Sequence, residues 1–314
     1  MKVFVSGGCG QVGSHIVEML LARGDQVLAV DDFSTGRRIH LPESYDRLTF
    51  VEGSIANKEL VDRLFGDFRP EAVVHTAVSY KNPDDWYNDC LVNAAGGAAL
   101  IRAAMATKVS RFVYFQTALC YGTHPMEQPI TLNHPIKPGD SSYSISKTPT
   151  EWYLQLSGLD WVSFRLANVV GPRNVSGPLP IFYERLKNGK RCFVTESRRD
   201  FVFVKDLAKV AVRAVDGTGQ GAYHFSSGGD VAIIELYDAV VKALKLNEYP
   251  QPDIRPLAPN DVASILLDPS RTFADFGAIR FTPLEETVAA AVAYYDEFGV
   301  TGGYTHLKHQ ESRA

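Results

Sequence analysis

Apolar positions fall into short, nearly continuous runs separated by stretches of helical period. The first run, residues 2–6, leads into Gly7-Gly8-Cys9-Gly10-Gln11-Val12-Gly13 and then into residues 14–23, an amphipathic helix pattern. Further strand-like runs lie at 26–30, 48–51, 72–77, 111–115 and 161–167, with helix-period segments at 57–65 and 84–107. Runs that are apolar at almost every position suit parallel strands covered on both faces. Their alternation with helices predicts βαβ units in an α/β, doubly wound parallel sheet. Beyond residue 171 the pattern loosens. Gly, Pro and aromatic residues dominate 171–203, and helix-like segments follow at 206–215, 233–245 and 283–297. This region reads as a smaller mixed α/β, substrate-binding lobe over the C-terminal edge of the sheet. The expected division is 1–167, with a return segment at about 200–228, for the sheet domain, and 168–199 plus 229–314 for the lobe.

One stretch conflicts locally. Ser141-Ser142-Tyr143-Ser144-Ile145-Ser146-Lys147 reads as a helix start, yet Pro149 follows two residues later, and an interior helix proline costs about 3 kcal/mol. Thr148-Pro149-Thr150-Glu151 itself has the form of a capping box with proline at the first helical position. The favoured reading is a helix from about 142 that kinks at Pro149; the rival starts the helix at Pro149.

Composition adds limits. Across 314 residues, 45% apolar and 22% charged content is that of a folded globular chain, and a net charge of −4 gives no general case for nucleic acid or anionic membranes. No run approaches 18 uninterrupted apolar residues, so no transmembrane helix is expected, and the opening strand leaves no room for a signal peptide. Cys9, Cys90, Cys120 and Cys192 lack metal or redox spacing, so free thiols, no metal and a cytoplasmic location are expected. Asn174-Val175-Ser176 then matches the glycosylation pattern only by accident.

The candidate chemistry lies at the strand ends. Gly7, Gly10 and Gly13 sit between a strand and a helix, where glycines admit a pyrophosphate to the helix N-terminus. Asp31, closing the second strand 18 positions after Gly13, is placed to hold the adenosine ribose hydroxyls. Its charge repels a 2′-phosphate and favours NAD over NADP, although Arg37 and Arg38 stand near enough in sequence to offer that phosphate a partner. Tyr143 and Lys147, four apart on one helix face, form a candidate general base, because a nearby ammonium favours the phenolate. Thr117 ends a parallel strand, where open α/β sheets place their sites.

Together these residues resemble the extended short-chain dehydrogenase/reductase family, in particular its UDP-glucose 4-epimerase-like nucleotide-sugar epimerases and dehydratases. The resemblance rests on Gly7-x-x-Gly10-x-x-Gly13, Asp31, His75-Thr76-Ala77, Asn93, Thr117-x-x-x-Tyr121-Gly122, Tyr143-x-x-x-Lys147, Arg165-Leu-Ala-Asn168, Gly171-Pro172 and Arg199-Asp-Phe-Val-Phe-Val-Lys-Asp206. Phe115-Gln-Thr-Ala-Leu-Cys-Tyr-Gly122 is similar to epimerases of O-antigen gene clusters. The resemblance implies a Rossmann domain that binds NAD through Gly7, Gly10, Gln11, Val12, Asp31, Asp32, Ser34, Gly36, Ser54, Ile55, Thr76, Ala77, Lys81, Asn93, Tyr143 and Lys147. It implies catalysis by Thr117, Tyr143 and Lys147, with Tyr143 taking a sugar hydroxyl proton while hydride passes to NAD⁺ and returns to the other face. Lys147 and the nicotinamide charge are expected to depress the tyrosine. For the UDP-sugar it implies contacts from Thr117, Asn168, Leu179, Phe193, Arg199 and Asp261, and it implies a homodimer built through helices near 84–107 and 143–157.

Each assignment has a plainer rival. Asn168 also suits a turn, Arg199 an ion pair with Asp200, Phe193 a core, and Lys81 a solvated surface. Departures narrow the reaction. The family's dehydratases carry Thr-Asp-Glu where this chain has Thr117-Ala118-Leu119, and its decarboxylases carry a glutamate at the position of Leu119. Epimerisation, with simple oxidoreduction or a silent NAD-binding regulator as alternatives, remains. Gln116 replaces a small serine, and Arg255-Pro256 stands apart from Asp261 where the family has Arg-Pro-Gly-Asp. Ile265 falls near a position that limits N-acetyl bulk.

Overall fold

Seven parallel strands form the central sheet in the order β11-β6-β5-β4-β1-β2-β3, in a computed structural model that describes residues 1–43, 45–257 and 262–300. The strands are β1 Lys2–Ser6, β2 Gln26–Asp31, β3 Leu48–Glu52, β4 Ala72–His75, β5 Arg111–Thr117, β6 Trp161–Leu166 and, returning after the lobe begins, β11 Gly221–Phe225. Val3, Phe4, Val5, Val73, Val74, Phe112 and Val113 are fully buried, as expected for strands covered on both faces. One face is covered by α1 Gln11–Ala22 and α7 Val204–Val215, through Ile16, Val17, Leu20, Leu207, Val210 and Ala211. The other is covered by α2 Lys58–Phe68, α4 Gly97–Thr107 and α5 Ser142–Ser157, through Val61, Phe65, Leu100, Ala104 and Leu154. Strand order reverses between β1 and β4, and the crevice at such a switch point is where open sheets bind ligands.

The short strands β7 Asn168–Val170, β8 Phe193–Thr195, β9 Arg198–Arg199, β10 Phe201–Phe203, β12 Val231–Ala232 and β13 Asp253–Arg255 pair in twos, β7 with β10, β8 with β13 and β9 with β12. Helices α6 Pro178–Lys187, α8 Ile233–Ala243 and α10 Leu284–Phe298 enclose a separate apolar core containing Leu179, Phe182, Leu236, Tyr237, Val240, Val288 and Tyr295. A last helix, α9 Ser270–Phe276, packs back on β11.

Two segments differ from expectation in an informative way. Helix periodicity over 84–107 resolves into α3 Trp86–Asp89, a π-helical turn at Cys90–Gly96, and α4. The π turn presents Asn93, whose carbonyl accepts from Thr150 Oγ1 on α5 at 2.7 Å. By length and composition alone the stretch Trp86–Thr107 is long and apolar enough to cross a membrane, but here it is a packed helix with Leu100, Ile101 and Ala104 in the core. At the second segment, α5 begins at Ser142 and runs through Pro149. Ser141 caps it by accepting from the Ser144 N–H at 3.2 Å, and Thr148 donates to the Ser144 carbonyl at 2.8 Å from inside the helix, so the 148–151 capping box does not form. The carbonyl left without a helical donor by Pro149 belongs to Ile145, a residue that is half exposed.

Gly97 lets α4 touch α5: a Cβ there would stand 2.0 Å from Thr150 Oγ1. Gly97→Ala is therefore expected to destabilise the protein by about 1–3 kcal/mol, read as a lower urea midpoint at unchanged slope.

Candidate active site

A cavity of about 980 Å³ opens at the switch point and runs from the glycine turn, past α5, to the lobe. Its first end is a cradle made by missing side chains. Gly7 has φ +68°, and a Cβ on it would lie 2.6 Å from the Ala77 nitrogen. A Cβ on Gly13 would lie 2.2 Å from the Gly7 carbonyl oxygen. Gly10 caps α1 without a side-chain acceptor, and no acidic residue occupies the first turn, so its N–H groups and dipole are free to meet a phosphate. Gln11 and Val12 line the same wall.

Asp31 ends β2 beside this cradle. Its Oδ2 accepts from the Cys9 N–H at 2.9 Å and its Oδ1 from the Phe33 N–H at 2.8 Å. Burial pushes its carboxyl above the usual range while these two donors pull it back. Gly36 lets the loop close over it: a Cβ there would lie 2.8 Å from Asp31 Oδ1. Asp32, Ser34, Ser54, Ile55, Thr76, Ala77 and Lys81 all line the cavity. Arg37 and Arg38 are occupied elsewhere. Arg37 Nη1 donates to the Phe298 carbonyl at 2.8 Å, and Arg38 donates to the carbonyls of Leu41 and Pro42 at 3.0 and 3.1 Å while lying over the Phe50 ring. That geometry favours the unphosphorylated ribose.

Midway, Thr117 from the end of β5 and Tyr143 and Lys147 from α5 line one wall. Lys147 is buried, its ammonium 4.5 Å from the Tyr114 ring centroid, and Tyr114 O–H donates to the Lys147 carbonyl at 2.8 Å. The expected depression of Tyr143 by Lys147 is not the leading influence. Burial pushes Tyr143 well above the ordinary phenol range, with a Thr117 hydrogen bond opposing it. Burial likewise brings Lys147 down to about 7, with Glu151 opposing. Both polar groups lose water, and that loss is the leading influence on each. His75, hydrogen-bonded to Ser6 Oγ at 2.8 Å, is kept neutral by burial and by Lys147.

Towards the lobe the wall includes Asn168, Phe193 and Arg199. Phe193 is 38% exposed with the Arg255 guanidinium 4.4 Å from its centroid, which leaves it as a cavity platform and not a core residue. Asp200 turns inwards to accept from Ser226 Oγ at 2.7 Å and from Ser227 N–H and Oγ at 2.8 and 2.6 Å.

Four expected site residues lie off the wall or outside the described residues, the first being Gly36, which packs against Asp31 without lining the cavity. Asn93 stands behind the wall, accepting from the Ser79 N–H at 2.7 Å and donating to the Ser79 carbonyl and Ser146 Oγ, both at 2.9 Å. Leu179 is fully buried in the lobe core, while its neighbours Pro178, Ile181 and Phe182 reach the cavity. Asp261 lies outside the described residues. Sequence reasoning missed Tyr80, whose ring stands edge-on to Tyr143 with centroids 6.3 Å apart, because a loop residue carries no periodic signal. It also missed Glu151, which was signalled by its place four residues after Lys147.

Fold and site together define a dinucleotide-dependent epimerase, and comparison with known proteins agrees. The model of the NAD dependent epimerase/dehydratase family matches residues 3–225. A UDP-glucose 4-epimerase of Mycolicibacterium smegmatis is 31% identical over 313 residues, covering 94% of this chain and 98% of that protein. The Bordetella bronchiseptica enzyme WbmH, solved with NAD⁺, matches with a TM-score of 0.93 at 67% identity, over 95% of this chain and 99% of that one. WbmG of the same organism, solved with NAD and UDP, matches with a TM-score of 0.88 at 39% identity, over 98% of each chain. The chain belongs to the NAD-dependent epimerase/dehydratase family, and NAD is its cofactor.

NAD is expected to bind about 100-fold more tightly than NADP, roughly 3 kcal/mol, within the Coulomb repulsion of a phosphate against Asp31 at an effective dielectric of about 20. Titration followed by protein fluorescence checks this, and Asp31→Asn should narrow the gap.

Proposed function

We propose that this protein inverts a UDP-sugar at C4, with Tyr143 as the base. The observation that carries the reading is the single cavity in which the glycine cradle, the Thr117–Tyr143–Lys147 wall and the lobe residues Asn168, Phe193 and Arg199 succeed one another. NAD, when bound, supplies a hydride acceptor and donor for the sugar carbon. The chain's residues do the rest. Tyr143, aligned by Thr117, takes the proton of the reacting hydroxyl and later returns it. Lys147 stabilises the phenolate, Asn168 and Arg199 hold the diphosphate, and Phe193 stacks near the uracil. Gly7, Gly10 and Gly13 admit the cofactor pyrophosphate, and Asp31 its ribose. Asp261 joins the proposed substrate contacts from its motif position. Ala118 and Leu119 supply no carboxylate, so a keto-sugar formed here lacks the acid that elimination would need, and inversion is the supported outcome. A role in surface-polysaccharide precursor synthesis in the cytoplasm fits this chemistry.

A homodimer is part of the same proposal. Trp86, Tyr87, Met105, Trp152, Tyr153 and Leu156 are exposed on α3, α4 and α5, with Leu156 81% exposed, an apolar face suited to a second copy. Sedimentation should give a dimer, and Leu156→Glu with Tyr153→Glu should give a monomer.

Tyr143→Phe should reduce kcat by about 10²–10⁴-fold, followed by NMR of a UDP-sugar panel without added cofactor, and retained full activity would refute the base assignment. The pH profile follows from the pair. The working state, phenolate beside ammonium, holds one proton fewer than the fully protonated pair, and the first proton leaves near the value of Lys147, about 7. Thus kcat/KM should rise with pH through neutrality and level off above it, whereas Lys147→Met should move the rise towards the elevated range of Tyr143.

A further inference from the structure

Helix α5 carries a third charged group aligned with the base. Glu151 follows Lys147 as Lys147 follows Tyr143, so the three side chains form a ladder on one helix face. Glu151 is fully buried, and a carboxylate there needs complete pairing. It has that pairing. Ser163 Oγ donates to Oε2 at 2.6 Å, Arg165 Nη2 to Oε1 at 2.5 Å, and Arg165 Nε to Oε2 at 3.3 Å. Arg165 Nη1 donates to the Tyr121 hydroxyl at 2.5 Å, which lies 2.6 Å from His224 Nε2, and His224 Nδ1 lies 2.9 Å from the Asp268 carbonyl. Arginine only donates, so Tyr121 passes its own proton on to Nε2 and His224 carries its proton on Nδ1. The directions form one consistent chain from α5 across β6 to β11.

An ion pair buried in this way is seldom more stabilising than apolar residues of equal volume, so its position asks for another account. The 3-10 turn Ala118–Tyr121 begins at Thr117, and the network therefore ties the strand end bearing Thr117 to the helix bearing Tyr143. Around Lys147 stand neutral His75 on β4, the Tyr114 ring on β5, and Tyr143 and Glu151 on α5, with Asp89 on α3 acting on Tyr143. Glu151 is the charge that opposes the effect of burial on the lysine.

We propose that Glu151, clamped by Arg165 and Ser163, is a positioning residue of the Tyr143–Lys147 base: through Arg165 and Tyr121 it ties the helix bearing the base to the turn bearing Thr117. This inference rests on the proposed role of Tyr143. Glu151→Gln removes the charge at nearly constant shape, and the double variant Glu151→Leu/Arg165→Met replaces the whole pair by apolar volume, which keeps the test available if the single variant fails to fold. Both are read after gel filtration and near-ultraviolet circular dichroism, beside Tyr143→Phe. The expected result is a fall in kcat of about tenfold with KM nearly unchanged, and an acidic limb of kcat/KM displaced to lower pH because the lysine sheds its proton more readily. A folded variant with kcat and limb like the wild type, or with only KM raised, overturns the proposal. If Tyr143→Phe is inactive while the limb stays fixed, only the role of Glu151 fails; if Tyr143→Phe is fully active, the base assignment itself fails.

Discussion

The site depends on how closely α5 approaches the sheet. Tyr143 reaches Thr117, with Lys147 on the same wall, because Gly97 leaves no side chain between α4 and α5, because Thr150 bonds the π-helical carbonyl of Asn93, and because Glu151 is held to β6 by Ser163 and Arg165. Each contact trades something. The glycine gives up helix propensity, the π turn gives up regular hydrogen bonding, and the buried pair gives up solvation. The return is a phenol, a lysine amine and a hydroxyl on one wall of a cavity, buried where electrostatic interactions are stronger than in water.

The same burial sets a chemical problem. Removing water raises the phenol and lowers the lysine, which works against the ion pair that a phenolate base needs. Neighbouring groups restore part of the balance: the Thr117 hydroxyl on one side and the Glu151 carboxylate on the other. His75 stays neutral and adds no competing charge. In the proposed mechanism the residues that the motif makes visible carry the reaction, and those beneath them hold its working range near neutral pH.

Much of this was legible in the chain. Period and run length located all the central strands except β11, and the glycine spacing with Asp31 located the cofactor end, because backbone approach and strand-end carboxylates leave fixed offsets. The α5 start was legible too, although Pro149 obscured it; tertiary packing of Thr150 and Glu151 outweighs the local proline cost. Other features depend on three-dimensional registration. The π turn looks like ordinary helix in sequence, Leu179 and Ile181 are indistinguishable until the face of α6 is known, and Asn93 acts through Ser79 and Ser146 from behind the wall. Tyr80 sits in a loop where no period applies.

The central claim is inversion through oxidation at the sugar carbon by a tyrosine base, with the carbon-bound hydrogen kept inside the cavity. The direct measurement is proton NMR of UDP-sugars incubated with the purified protein in deuterium oxide, without added cofactor. The account predicts interconversion of C4 epimers with the C4 hydrogen retained as protium. Inversion accompanied by deuterium at that carbon would contradict it.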